Sequence, residues 1–345
     1  MESNPTTLDH KAISYSIPKA ELHIHIEGTF EPEMVVNCAL KNGVDFQYDL
    51  EQLREMFNFK NLKDFLDLYY LCCSTLRTRQ DFSDLMYAYL KRAGSEGLKY
   101  AEIFFDPQTH LKNGIEFSTV LEGLSDGQQL GRDQLSVDSK LIMCFLRDTT
   151  EEEAFKVLEL SKPYQKHIIS IGLDSNEYGN PPEKFVHVYK TAKEMGYHLV
   201  AHTGEEEVIP MEYIDFTMNG LNAERLDHGI QIIRSEKLMN QAATEKRPLT
   251  LCPLSNRELK VYPDLSLYPL QTLRDNNLLI MLNSDDPAYF KGYIGENFYQ
   301  MALLFNFNIE DYRFFARNSF MATFLEDEEK NRYLEEVENY IQLLK

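Results

Sequence analysis

Ala20-Glu21-Leu22-His23-Ile24-His25-Ile26-Glu27-Gly28-Thr29 decides how the rest of the chain is read. Two histidines one residue apart stand inside an apolar run with the alternation of a β-strand. Side chains at i and i+2 leave a strand on the same face. His23 and His25 therefore point together, while Leu22, Ile24 and Ile26 point into packing. Two neutral imidazoles at a strand end make half of a metal site. By themselves they also suit an ordinary surface strand, so the other donors must come from elsewhere in the chain.

Outward from this stretch, apolar runs alternate with helix-period segments. Eight runs read as strands: residues 20–26, 100–105, 141–146, 168–173, 199–202, 225–229, 249–252 and 279–283. Amphipathic segments such as Glu151 to Leu160 and Pro182 to Met195 lie between the later ones. Strand–helix alternation signals a parallel sheet, and eight units predict an α/β fold, a closed (β/α)8 TIM barrel. An open doubly wound sheet is the alternative, but no Gly-X-Gly-X-X-Gly follows any strand. Glu31 to Ala93 holds more helix than one crossover needs, which predicts extra helices after the first strand, lying over the catalytic face as a lid. The tail from Asn297 reads as helical and residues 1–17 as a loosely held arm. With no Gly/Ser- or Pro-rich linker, residues 1–345 read as one domain.

Composition narrows the partners. The 345 residues carry 55 acids against 35 Lys and Arg, a formal net charge of -20. Such a surface repels nucleic-acid phosphates and anionic membranes, leaving a small-molecule substrate. No stretch is long and apolar enough to span a bilayer. Met1-Glu2-Ser3-Asn4-Pro5 lacks the basic start and apolar core of a signal peptide. The 5 cysteines form neither a disulfide framework nor a zinc knuckle. The expected location is the cytoplasm, and a homo-oligomer is compatible with the sequence.

In a barrel the chemistry collects at the C-terminal ends of the strands. The first predicted strand supplies His23 and His25, the fifth His202 and Glu205, the sixth Asp227-His228-Gly229, the eighth Asp285-Asp286-Pro287. Three imidazoles and one carboxylate (His23, His25, His202, Asp285) suit zinc or a similar divalent ion. Glu205 and His228 remain as proton carriers. His10, His110, His167, His187 and His198 fall elsewhere and read as structural. The fourth strand has no lysine to bridge two metals, so the site is expected to hold one ion per subunit, which would make hydroxide available near neutral pH.

His23 to Thr29, His202-Thr203-Gly204-Glu205, Arg225 to Gly229, Cys252-Pro253-Leu254-Ser255-Asn256 and Ser284-Asp285-Asp286-Pro287 occur in the same order as in the adenosine/adenine deaminase family. The chain resembles that family from about Pro18 to its C-terminal helices. Ala101 to His110, Gly172-Leu173-Asp174-Ser175-Asn176-Glu177 and Asp285 to Phe290 look more like its adenine-acting branch. The resemblance implies a zinc-dependent hydrolase acting on the C–N bond of a cyclic amidine, in purine salvage. His23, His25, His202 and Asp285 would hold Zn2+. Glu205 would protonate the purine at N1, His228 would position and deprotonate the attacking water, and Asp286 would accept a hydrogen bond at N7.

The substrate is expected to be the free base adenine, giving hypoxanthine and ammonia. Glu27 stands where nucleoside-acting members look to have a shorter aspartate that contacts ribose. Gly172 and, just past it, Glu177 are expected to bind the substrate on the purine N3 side. Both acids are expected to accept an N–H that only a free base carries. Adenosine and N6-substituted adenines are the alternatives. Two positions depart from the family pattern: Thr203 replaces an expected alanine, and Lys291 an expected glycine, where lysine would strain the loop if φ is positive.

Overall fold

The computed structural model describes residues 8–344. Eight strands are found among them: β1 (Lys19–Glu21), β2 (Leu98–Phe105), β3 (Asp138–Leu146), β4 (Ile168–Asp174), β5 (His198–Thr203), β6 (Arg225–His228), β7 (Leu249–Leu251) and β8 (Ile280–Leu282). They pair in parallel, each with its sequence neighbour. Helices cover the outside, so strand residues are buried on both faces, as the apolar runs require. The predicted (β/α)8 barrel is the observed fold.

The first strand departs from its predicted span. Regular pairing ends at Glu21, because the chain then serves two neighbours. On one side Phe104 donates its N–H to Ile24 O at 2.8 Å, and Ile26 donates to Phe104 O at 3.0 Å. On the other, His25 donates to Asp285 O at 3.0 Å and Asp285 to His23 O at 3.1 Å. The Asn283 side chain accepts from the amides of Leu22 (2.9 Å) and His23 (3.2 Å), which no ladder partner serves. The seam between the first and eighth strands thus runs through the histidine pair itself.

The barrel interior is layered. In the middle Phe104, Ile142, Cys144 and Val200 form a small core of their own. Gly172 belongs to this layer: a Cβ there would lie 2.6 Å from Cys144 Sγ. Gly172 leaves room for the thiol and does not line the substrate pocket, which corrects the expectation that it binds substrate. At the base the buried Arg225 on β6 crosses the lumen to Glu102 on β2 at 2.6 Å and reaches Asp227 Oδ1 at 3.3 Å. Glu102 also accepts the N–H of Phe324, whose ring lies under the Arg225 guanidinium. A buried cation needs such partners, since removing one of a pair costs about 3–5 kcal/mol.

The segment between β1 and β2 divides in two. Helices Pro32–Asn42, Leu50–Met56 and Leu62–Cys73 are the insertion. Phe65, Tyr69 and Cys72 recur at helical spacing and are buried. Phe65 and Tyr69 pack with Tyr289 and Phe290 from the loop after β8. Helix Arg79–Gly94 is instead the crossover, packed on helix Phe117–Leu135. Gly123 and Gly127 allow that approach: a Cβ would stand 2.4 Å from Arg79 O and 2.7 Å from Ser83 O.

The N-terminal segment also differs from its expected description. Residues 1–7 lie outside the described residues, but helix His10–Ser16 is anchored. Ile13 and Ile17 are buried, Ser14 Oγ lies 3.2 Å from Tyr312 Oη, and Tyr15 donates to Glu296 at 2.6 Å. Its apolar i, i+4 pair gives it a core face, which a short polar start obscures in the sequence. Among the described residues no helix is long and apolar enough to cross a membrane.

Candidate active site

Strand ends deliver the predicted donors to one point. His23 Nε2 lies 3.2 Å from Asp285 Oδ1, and His25 Nε2 lies 3.0 Å from His202 Nε2 and 3.5 Å from Asp285 Oδ1. All four side chains are buried, and their ligating atoms lie within 4.8 Å of one another. Neighbouring groups fix which nitrogen of His23 is bare. Thr250 donates its hydroxyl proton to Asp227 Oδ1 (3.1 Å), so Thr250 Oγ1 accepts His23 Nδ1–H (2.8 Å). His23 Nε2 is left with a lone pair and no hydrogen-bond partner among the described residues. A buried, unpartnered imidazole nitrogen beside two more and a carboxylate is what a divalent cation requires.

The electrostatics agree. Burial opposes ionisation of Asp285, yet the imidazoles of His23, His228 and His25 override it and hold the carboxyl well below its ordinary range. Burial, followed by the closeness of the His23 ring, pulls His202 well below the ordinary histidine value, and burial pulls His25 down to about 4. These rings are neutral donors. Cys252 lies close enough to His23, His228 and Asp285 to form another donor set. Burial pushes its thiol well up, so the protonated sulfur is a poor ligand.

Backbone geometry aims the side chains. His228 and Asp285 both have positive φ, +64° and +66°, flanked by Gly204 and Gly229 in the same region. Such turns at non-glycine residues cost about 1–3 kcal/mol each and persist where surrounding structure enforces them. Here they turn both side chains inward at the strand ends. His228 Nε2 stands 3.6 Å from Glu205 Oε2 and 4.0 Å from Asp285 Oδ2. Burial, then the Asp285 and Glu206 carboxylates, push Glu205 well above the ordinary range, so it carries a proton. Burial holds His228 down at about 3, so the imidazole is neutral and has a lone pair to offer. Acid and base are set apart by environment within one pocket.

Asp286 is brought close by Gly28. A Cβ on Gly28 would lie 2.0 Å from Asp286 Oδ1 and 2.7 Å from its Cα. Gly28→Ala is therefore expected to displace Asp286, lowering kcat/KM at least about tenfold and destabilising the fold by about 1–3 kcal/mol. Steady-state kinetics and a melting curve check both.

The pocket above these groups has about 620 Å³ of open space, its mouth included. Its walls include His25, His202, Glu205, His228, Asp285, Asp286 and Glu177, roofed by Leu62, Phe65, Tyr69 and Tyr70. The insertion is therefore a lid, as expected. Glu27 is not in the wall. Its Oε1 accepts from Asp106 N–H at 3.1 Å and His110 Nε2 at 2.8 Å. It braces the loop after β2, which corrects its assignment to the substrate, and His110 is the structural residue it was read as. Lys291 does have the positive φ that would strain a lysine, +63°. Its ammonium reaches Glu258 at 3.1 Å on the surface, away from the pocket.

Glu177 lines the pocket, but its carboxylate is engaged. Oε1 accepts from Thr203 Oγ1 (3.0 Å) and Gly204 N–H (3.1 Å), and Oε2 from Glu205 N–H (3.4 Å). It clamps the turn that carries Glu205, and Thr203 contributes through its hydroxyl. Glu177→Gln puts an amide donor where an N–H donates. It is expected to lower kcat about tenfold with a smaller change in KM, the loss of about 1–1.5 kcal/mol of positioning. Thr203→Ser should keep wild-type kinetics and Thr203→Val should not.

Among the pocket residues with no assigned role are Asp106 and Asp174. Asp174 Oδ2 lies 3.6 Å from His25 Nδ1. Burial pushes Asp174 up to about 7 and Asp106 well above its ordinary range, with Asp174 adding to the latter. Both stand at strand C-termini, the signal that found the other donors.

Three rings and a carboxylate, with a protonated acid and a neutral imidazole beside them, equip a barrel to add water to a substrate. The molecule is of the class of metal-dependent barrel hydrolases. The sequence profile described as adenosine deaminase matches residues 18–340, and the chain belongs to that family. The adenine deaminase of Streptomyces coelicolor is 47% identical over 327 residues, 94% of this chain and 96% of the relative. That of Cupriavidus pinatubonensis is 46% identical over 324 residues, 94% of this chain and 92% of the relative. The crystal structure of adenine deaminase from Arthrobacter aurescens superposes with a TM-score of 0.92 at 40% identity, covering 95% of this chain and 100% of that one.

Proposed function

We infer that this protein is an adenine deaminase, hydrolysing adenine to hypoxanthine and ammonia. The observation that carries this is the identity of 43–47% to adenine deaminases along nearly the whole chain, joined to a pocket that holds an acid, a base and a cation site together. Zinc suits three imidazole nitrogens and one carboxylate oxygen. His23, His25, His202 and Asp285 would hold it, and when bound it supplies the Lewis acidity that makes hydroxide available near neutral pH.

The chain's own residues do the rest. Glu205 gives its proton to N1, which makes C6 electrophilic. His228 takes a proton from the water that attacks C6. As the tetrahedral adduct collapses, Glu205 recovers a proton from the new hydroxyl, and His228 passes its own to the departing amine. Asp286 faces N7, but as a donor and not the acceptor first expected: burial and the Asp285 carboxylate push its carboxyl well above the ordinary range, and the protonated acid donates to the N7 lone pair of the N9–H tautomer. The helix Leu62–Cys73 covers the reaction from bulk water.

We assign the activity to purine salvage in the cytoplasm, which five buried, unpaired thiols support. Turnover of adenine and adenosine at equal enzyme concentration tests the substrate. Adenine is expected to be faster, and faster adenosine turnover would overturn the reading.

A further inference from the structure

The pocket holds one pair of buried carboxyl groups that the reaction above does not use. Asp106 and Asp174 are 4% and 2% exposed and line the pocket. Apart from each other and the Cys144 thiol, Asp106 Oδ1 and both oxygens of Asp174 have no hydrogen-bond partner among the described residues. Asp106 Oδ2 has one weak contact, Tyr69 Oη at 3.5 Å. Buried carboxylate oxygens without donors are costly, and a site holds them where a ligand brings the donor.

The order of the strands says which atom that is. Glu205 follows β5, Asp286 follows β8, and His228 ends β6 between them. A purine presenting N1 to Glu205 and N7 to Asp286 turns C6 toward His228. Its opposite edge, N3–C4–N9, then faces the wall from β2 to β4. N9 lies on the N7 side of that edge and so meets β2, whose C-terminal residue is followed by Asp106. N3 meets the loop after β4, where Ser175 and Glu177 stand. In the free base N9 carries a hydrogen; in a nucleoside it carries a sugar. We propose that Asp106, backed by Asp174, accepts the N9–H of the bound base and is the residue that selects free base over nucleoside.

This rests on the adenine reading and deepens it. It moves the discrimination from Glu27, which is turned away to His110, to the residue whose backbone Glu27 holds. A site built around a substrate N–H discriminates strongly against the analogue lacking it, because its own buried acceptor is left unpaired.

The test compares adenine with 9-methyladenine, which has no N9–H, on wild type, Asp106→Leu and Asp106→Asn. Leucine keeps the bulk of the side chain and removes the acceptor; asparagine keeps an acceptor oxygen. Asp106→Leu is expected to lose about 100-fold in kcat/KM on adenine and little on 9-methyladenine, with Asp106→Asn recovering most of the adenine activity. Parallel losses on both substrates would overturn the assignment. So would two divalent ions per wild-type chain by elemental analysis, since His25, Asp106 and Asp174 would then be a second cation site. Should the leucine variant misfold, calorimetry on wild type decides: purine is expected to bind and 9-methylpurine to bind far more weakly, and equal binding sinks the proposal. Wild type that prefers adenosine fails the adenine reading itself. Wild type that prefers adenine but loses both activities in parallel in the variant fails only Asp106.

Discussion

Glu205→Gln is expected to keep its metal and lose turnover. Glutamine has the same shape and can still hydrogen-bond N1, but it has no proton to give. The loss should reach the full range of a positioned general acid, about 10²–10⁴-fold in kcat. KM should move little, because the contact itself survives. Nothing in the geometry ties Glu205 to the cation: its nearest partner in the site is His228 Nε2 at 3.6 Å, and Oε1 has no partner among the described residues. Kinetics and elemental analysis on the same sample separate the two readouts. A glutamine variant with near-normal kcat would refute the proton-donor role, and one that had lost its metal would make Glu205 a ligand.

His25→Ala should fail in the opposite way. His25 Nε2 stands between His202 Nε2 and Asp285 Oδ1, so its removal leaves three donors around an opened site. Metal content and activity are both expected to vanish. Stability should fall too, since an ion that binds the folded state alone stabilises it by mass action, about 2.7 kcal/mol at a hundredfold excess over Kd. The distinguishing measurement is the melting temperature with and without chelator. Wild type should melt lower after chelation and recover on adding zinc, while the alanine variant should respond to neither. A variant that still gains stability from zinc would show that His25 is dispensable for binding.

The barrel and the clustering of its candidate cation donors were legible because both follow from spacing. Apolar runs separated by helix-length segments specify a parallel ring, and strand ends in a ring converge. His202 and Asp285 lie far apart in sequence, and only the ring brings them to His23 and His25. The selectivity residues were harder to read. Glu27 is next to the histidine pair and one methylene longer than aspartate, which suggests reach into the pocket. Its direction, though, is set by His110 and by the Asp106 amide, contacts between β1 and β2 that no local pattern reveals. Glu177 was found in place but has another task, because Thr203 and the two backbone amides that follow β5 claim its oxygens. The glycine at 172 illustrates the same limit from the packing side: its neighbour Cys144 is on another strand.

The seam between β1 and β8 has a bearing on the order in which the molecule assembles. Every other strand joins a neighbour close in sequence, whereas Leu22 and the Asn283 side chain that caps it are 261 residues apart. Closing that contact carries the greatest loop entropy in the ring, and long-range pairings form late. The two candidate ligands on either side of the gap, His25 and Asp285, meet only then. A nascent chain thus has no finished donor set until the ring closes, and an ion held by these donors would be captured last.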